Sequence, residues 1–454
     1  MVPVDPNSVH RLAKMMLDTG EASSIEEAMA ILRQYRLRLH LGRGWTTNRA
    51  TQVAVATALV TASRAFLGGL VLSGDRAATF SIPVLSGKSP ESWLREANLP
   101  CDQAEDDVPT LVFGSEAGAP NSDFALKVES SGWVAKVHPI GEARVSLPGD
   151  GIALAAAAAA AIGVNEAFLR VRSKSRVYGS RSVGLSLWRP EVVDGYESAD
   201  FLGPSLRYLP SRVWLIGLGH LGQSYSWLLS QLPFVAPGKV QITLQDYDRV
   251  SLSNCSTGVL VNSAAVGQYK TRLVADVLEN IGFRTAILER PVCAGQEPLG
   301  DEPRLALVGV DNVHARRLIS CLGFETAIEC GLGSGFKDFQ AIRMHTFPCS
   351  RLSSDVWKAE YGAVAQTELS ANYKRLAEAT GDECGVTQLA GRAVGAPFVG
   401  VFAGALVLAD AVRTLHGGRS YALADLSMRD IANRTLVERD QHYLRHSGIT
   451  EAAA

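Results

Sequence analysis

The sequence predicts an α/β protein whose second half is a doubly wound, mostly parallel sheet. Three observations carry that prediction. From Ser211 onward, strand-like and helix-like segments alternate at regular spacing. A glycine-rich turn, Gly217-Leu218-Gly219-His220-Leu221-Gly222, stands between the first of those strands and a helix. Of 454 residues, 47% are hydrophobic and 20% charged, ample for a full-sized core and too few charges for a solvated chain. At roughly 150 residues per domain the length suits two or three domains.

Residues 1–40 read as an N-terminal helical segment of two short helices. Ser24-Ile25-Glu26-Glu27 is a capping-box pattern, and Ala28, Ile31, Leu32 and Tyr35 follow at helical spacing. Residues 41–190 read as one domain. Val53 to Phe66 is an apolar helix, Gly69 to Leu72 a strand, and Thr110 to Phe113 and Ala125 to Val137 supply further strands. The Ala run ending at Ala161 is a helix able to pack close to a neighbour. No phosphate-binding glycine pattern occurs in this half. Residues 191–210 mix Pro, Gly and acids without periodicity and read as a linker.

Residues 211–445 form the regular part. Strands are expected at 213–216, 240–245, 285–288 and 305–310, and helices at 222–232, 270–281 and 313–322. Ser420 to Leu423 and Thr435 to Val437 can add short terminal strands. The setting of the glycine turn gives it chemical content. Gly217 permits the tight turn, Gly219 lets backbone approach a phosphate, and Gly222 lets the helix pack on the strand. The helix start then offers free N–H groups to an anion.

Asp246 ends the next strand, where an acid can take ribose hydroxyls. It belongs to Asp246-Tyr247-Asp248-Arg249-Val250-Ser251-Leu252-Ser253-Asn254. Lys270 opens a helix after Gly267-Gln268-Tyr269, a charge clamp better suited to a triphosphate than to nicotinamide; alternatively it is a solvated surface Lys. Asp311, in Asp311-Asn312-Val313-His314-Ala315-Arg316, ends a parallel strand and points into the ligand crevice, or else caps the helix after it. One carboxylate plus phosphate oxygens is the usual way to hold Mg²⁺.

These ordered motifs, G-x-G-x-x-G, D-x-D-x-V-x-x-S-N, G-x-x-K and D-N-x-x-x-R, resemble the ubiquitin-activating / ThiF–MoeB superfamily over about residues 211 to 412. The resemblance implies a Rossmann-like adenylation domain that binds ATP and Mg²⁺. It places Asp246 on the ribose, Asn254 and Lys270 on the phosphates, and Asp311 on the metal. One departure stands out: the family usually carries an Arg three residues after the Asn, and this chain has Thr257. In relatives an Arg from a partner subunit or pseudo-domain also reaches the ATP, a part Arg43 or Arg49 could play. Residues 41–190 weakly resemble an inactive copy of the adenylation domain, which would make the chain a pseudo-dimer.

There are seven Cys, at 101, 255, 293, 321, 330, 349 and 384, with no C-x-x-C pair, which argues against a disulfide scaffold or a structural zinc site. Cys384 sits in Gly381-Asp382-Glu383-Cys384-Gly385, read as a polar loop ahead of a small-residue helix. A lone Cys is usually a packing residue. This placement, however, resembles the thioester-forming Cys of atypical activating enzymes. Cys321 and Cys330 read as core, and Cys255 as a substitution in the nucleotide loop. A helix is expected around Tyr373 to Ala379, in a crossover able to cover the bound tail of a protein substrate.

Together the resemblance implies an enzyme that adenylates the C-terminal carboxylate of a ubiquitin-like protein, forms a thioester on Cys384, and passes it to a conjugating enzyme. The rivals are a ThiF/MoeB-like adenylyltransferase feeding sulfur transfer, a nicotinamide oxidoreductase, and an inactive scaffold. A net charge of −2 gives no reason to expect nucleic acid. The most apolar run, Ala393 to Ala409, is 17 residues with a Pro and three Gly inside, short of the ~20 that a spanning helix needs. No membrane is expected, and a cytoplasmic location is. Only 10 of 44 basic residues are Lys, which suits a GC-rich bacterium, where such enzymes serve antiviral defence.

Overall fold

The computed structural model describes residues 4–99, 108–120, 122–141, 148–196, 198–358, 369–440 and 448–453. Two short helices open the chain, α1 (Arg11–Thr19) and α2 (Ile25–Leu32). His10 caps α1 by accepting from the Leu12 N–H, and Ser24 caps α2 by accepting from the Glu27 N–H. Glu27 reaches back one residue further than expected, to the N–H and hydroxyl of Ser23.

The first half then runs β1 (Arg36–Leu41), α3 (Arg49–Ala62), β2 (Gly69–Gly74), α4 (Pro90–Glu96), β3 (Thr110–Phe113), β4 (Ala125–Ser131), β5 (Val134–Pro139), α5 (Ala153–Ser173) and β6 (Val183–Ser186). Its sheet has the order β2-β1-β3-β4-β5-β6. The first four strands are parallel, and β5 and β6 are antiparallel additions. Strand β1 crosses the expected boundary at residue 40. Its alternation, Arg-Leu-Arg-Leu-His-Leu, has the two-residue period of a strand.

The second half contains β7 (Tyr208–Pro210), β8 (Arg212–Ile216), α6 (His220–Gln231), β9 (Gln241–Gln245), α7 (Lys270–Asn280), β10 (Arg284–Leu288), β11 (Leu305–Val308), α8 (Val313–Leu318), β12 (Thr326–Leu332) and β13 (Ala341–Phe347). It continues with α9 (Ser353–Val356), α10 (Ala371–Thr380), α11 (Glu383–Ala390), α12 (Pro397–Leu415), β14 (Ser420–Ser427), β15 (Asp430–Arg439) and β16 (Ile449–Glu451). Eight strands lie in the order β10-β9-β8-β11-β12-β13-β14-β15. The first five are parallel and the last three antiparallel. Strands β12 and β13 are additions to the expected set. The stretch read as a linker ends in β7, which pairs with β16.

The two sheets share one plan. Each starts in a central strand, adds the next strand on one side, crosses over, and finishes in antiparallel strands. Among the described residues the first lacks a counterpart of β10 and of the outermost strand. Between them lie α3, α5, α6 and α12, within one continuous hydrophobic core. Small residues set the closeness: a Cβ on Gly400 of α12 would stand 2.4 Å from His220 Nε2, and one on Gly404 2.9 Å from Leu228 Cδ1. Trp227 Nε1 donates to Thr57 Oγ1 across the halves at 3.1 Å. Helices α5 and α12 are long and apolar enough to cross a membrane, yet 89% of each apolar window is buried inside the fold.

Candidate active site

The glycine turn joins β8 to α6 with the stereochemistry its sequence requires. Gly217 has φ +82°, a left-handed conformation that glycine tolerates. A Cβ on Gly222 would lie 2.0 Å from the Gly217 carbonyl oxygen, so α6 can start here only without a side chain. Gly219 faces open space, leaving its backbone accessible from the crevice.

That crevice lies at the carboxyl ends of the parallel strands and encloses about 480 Å³. Seven of the predicted residues line it: Gly217, Gly219, Asp246, Asp248, Asn254, Lys270 and Asp311. Gly222 lies beneath the turn and supports it. Asp246 accepts from the Leu218 N–H at 2.6 Å and from the Asp248 N–H at 2.8 Å, tying the end of β9 to the glycine turn. Burial raises its pKa above the usual carboxylate range, with Lys270 opposing. Lys270 is not a solvated surface Lys: it is buried at the start of α7 and pairs with Asp248 at 2.7 Å. Asn254 shapes its own loop by accepting from the Ser251 N–H.

Asp311 is not the cap of the following helix. Asn312 takes that role, accepting from the His314 and Ala315 N–H groups, and leaves the Asp311 carboxylate exposed at the cleft. Among the described residues no cluster of three or more Asp, Glu, His or Cys could hold a metal by itself. The donor set therefore suits a metal that takes most of its ligands from phosphate and water.

Three cleft arginines escaped the sequence reading: Arg11, Arg290 and Arg392. Arg11 comes from α1, and its Nη2 donates to Ser253 Oγ at 3.2 Å. Burial, then the like charge of Arg392, pulls its pKa down to about 10, against the pull of Asp311. Neither Arg43 nor Arg49 lines the cleft. Arg43 is exposed, while Arg49 donates to the Gln231 carbonyl at the end of α6, a structural tie between the halves. No local motif marks Arg11, because its partners lie more than 240 residues away.

Cys384 is not in a loop but in the first turn of α11, which Asp382 caps by accepting from the Gly385 N–H. Its sulfur is exposed, accepts from Gln388 Nε2 at 3.6 Å, and does not line the cleft. The segment from Gly391 to Gly395 does line it, and Gly391 is about 10 Å of helical rise from Cys384. Cys330 is buried as expected, whereas Cys321 is exposed. Cys255 is half-buried in the 252–256 turn, and Arg64, just after α3, donates to the Val259 and Val261 carbonyls beyond it.

In the first half the corresponding position, at the start of α3 and the carboxyl ends of β3 and β4, holds a smaller pocket of about 220 Å³ lined by Asn48, Thr51, Gly114, Glu129 and Asp150. Trp45, fully buried after β1, donates its Nε1 to the Asp75 carbonyl beyond β2 at 2.8 Å and packs edge-on to Phe80. Asn48 caps α3 from within by accepting from the Thr51 N–H.

Comparison with known proteins fits this architecture. Residues 36–187 match the family model described as the BilD N-terminal domain, and 209–418 the BilD C-terminal domain. The bacterial E1-like protein BilD of Collimonas sp. (strain OK412) is 36% identical over 442 residues, 95% of each chain. The molybdopterin-synthase adenylyltransferase of Escherichia coli (strain K12) is 31% identical over 151 residues, 32% of this chain and 59% of that protein. An E. coli MccB structure with AMPCPP and MccA matches at 13% identity and a TM-score of 0.33, over 51% of this chain and 64% of that one, a likeness too loose to add weight. With a relative of this identity along nearly its whole length, the chain belongs to the BilD family of bacterial E1-like proteins.

Proposed function

We propose that the protein uses ATP to adenylate the C-terminal carboxylate of a ubiquitin-like protein. The observation that carries this reading is the gathering of Asp246, Asn254, Lys270 and Asp311 around one glycine-turn crevice, with Arg11 reaching in from α1. A carboxylate oxygen of the substrate forms a bond to the α-phosphorus of ATP. The α–β phosphoanhydride bond breaks and pyrophosphate leaves. Asp246 holds the ribose, and Asn254, Lys270 and Arg11 steady the phosphates. Asp311 would hold Mg²⁺, which neutralises charge on the leaving pyrophosphate when bound.

Cys384 then attacks the acyl-adenylate carbonyl as thiolate, forms a thioester and releases AMP. The thioester passes to a conjugating enzyme, a separate protein. Residues 41–190 act as an inactive copy of the adenylation domain, on the strength of the shared strand plan. A second reading, adenylation without a thioester, is favoured by one observation: Cys384 lies outside the cleft.

Pyrophosphate exchange with ATP, Mg²⁺ and the modifier tests the first step. Asp311→Ala should abolish it, and Lys270→Ala should lower it by roughly 10²-fold. Unchanged exchange in a folded Asp311→Ala protein sinks the assignment. Cys384→Ala should keep exchange and lose the reductant-sensitive adduct on a gel. Normal exchange with no adduct from the wild-type protein would favour the second reading.

A further inference from the structure

The positive charges of the cleft are not equally neutralised. Lys270 pairs with Asp248 at 2.7 Å, and Arg316 pairs with Glu329 at 3.3 Å. Arg11 and Arg392 are different. The Arg11 guanidinium donates to the Ser253 hydroxyl and feels the Asp311 carboxylate across the cleft, while its backbone N–H donates to Ser256 Oγ. Arg392 donates to the Asn7 side-chain oxygen at 2.8 Å and makes no ion pair among those residues. The charge of Arg392 disfavours that of Arg11, and both side chains line the cleft. Two guanidiniums that line one cleft and hydrogen-bond to neutral side chains favour an anion between them.

The chain holds them there deliberately tight. Asn7 bridges both sides: its side chain takes Arg392, and its carbonyl accepts from the Ser253 N–H at 2.6 Å. The glycine-bounded loop from Gly391 to Gly395 lies against the nucleotide turn, where a Cβ on Gly395 would meet Thr257 Cγ2 at 3.0 Å. The small Thr257 side chain thus leaves room for that loop, and the loop brings a guanidinium.

We propose that Arg392 is a phosphate-gripping residue, which closes on the polyphosphate of the nucleotide opposite Arg11 and makes the cleft selective for a triphosphate over a monophosphate. This rests on the nucleotide reading of the cleft. Arg392 stands two residues beyond the end of α11, so the same contact fixes the C-terminal end of the helix that carries Cys384. Arg392 is exposed, so its replacement leaves the core untouched.

Calorimetric titration of the full chain with ATP and with AMP, each with Mg²⁺, tests it. Arg392→Ala should weaken ATP by about 10- to 100-fold, the scale of a charge-assisted hydrogen bond, and AMP by less than about threefold. Arg392→Lys should recover part of the ATP affinity, since it keeps the charge. In hydrogen exchange, ATP should protect residues 383–395 of the wild type and fail to do so in Arg392→Ala at saturating nucleotide. ATP affinity unchanged in Arg392→Ala, or ATP and AMP weakened equally, overturns the role of Arg392 while leaving the cleft assignment standing. No ATP binding by the wild type removes both.

Discussion

A single methyl group at position 222 would stand 2.0 Å from the Gly217 oxygen, and backbone at both ends leaves nowhere for it to go. Gly222→Ala should therefore cost about 1–3 kcal/mol of stability and push α6 off the turn, read as a lower Tm with ATP binding lost in calorimetry. An unshifted Tm with normal binding would show that the turn yields more than its geometry implies. Gly219→Ala is the contrast. Its Cβ meets nothing within 4 Å, so the fold should stand while a bound phosphate is obstructed. The glycine, carboxylate and lysine positions of the site were legible because each belongs to a short motif whose context is a strand end or helix start. Arg11 and Arg392 were not, because the fold brings them to one cleft from 381 positions apart along the chain.

Helix α1 shows how an element can depend on one proton. His10 caps it through Nδ1, which accepts from the Leu12 N–H and can do so only while that nitrogen is unprotonated. Burial brings His10 from 6.5 down to about 4, and His220, at the start of α6, to the same value. A depressed folded pKa means stability that is fully present above pH 6.5 and lost as pH falls through about 4. We expect the Tm to drop over that window, with ATP affinity falling as α1 withdraws Arg11. A flat Tm between pH 6.5 and 4 contradicts this. The elements differ in how they could be read. Strands β8, β9 and β11 are short apolar runs between turn signals and were plain. Helix α11 was read as loop because Gly381 and Gly385 flank Cys384, although Asp382, three residues before Gly385, is a helix-start signal. Strand β12 was missed because Glu329 interrupts its apolar run; that carboxylate is buried only because Arg316, His345 and Trp357 surround it.

At the scale of the whole molecule, the core runs without interruption from one sheet to the other through α3, α5, α6 and α12. Heat should therefore unfold the chain in one calorimetric transition. Two separated transitions would show that the halves hold themselves together independently. The shared strand plan was only faintly legible, because it lies in strand order, which the sequence pattern does not state. The unequal size of the two pockets, about 480 Å³ against about 220 Å³, adds a kinetic consequence. Where two live crevices face each other across a shared helical layer, filling one can alter the other, and the rate then bends away from a simple saturation curve. A chain with one crevice built on a glycine turn and one smaller pocket without that turn has no second event to wait for. Its rate should rise with ATP along a plain hyperbola, with a Hill slope of about one and one nucleotide bound per chain.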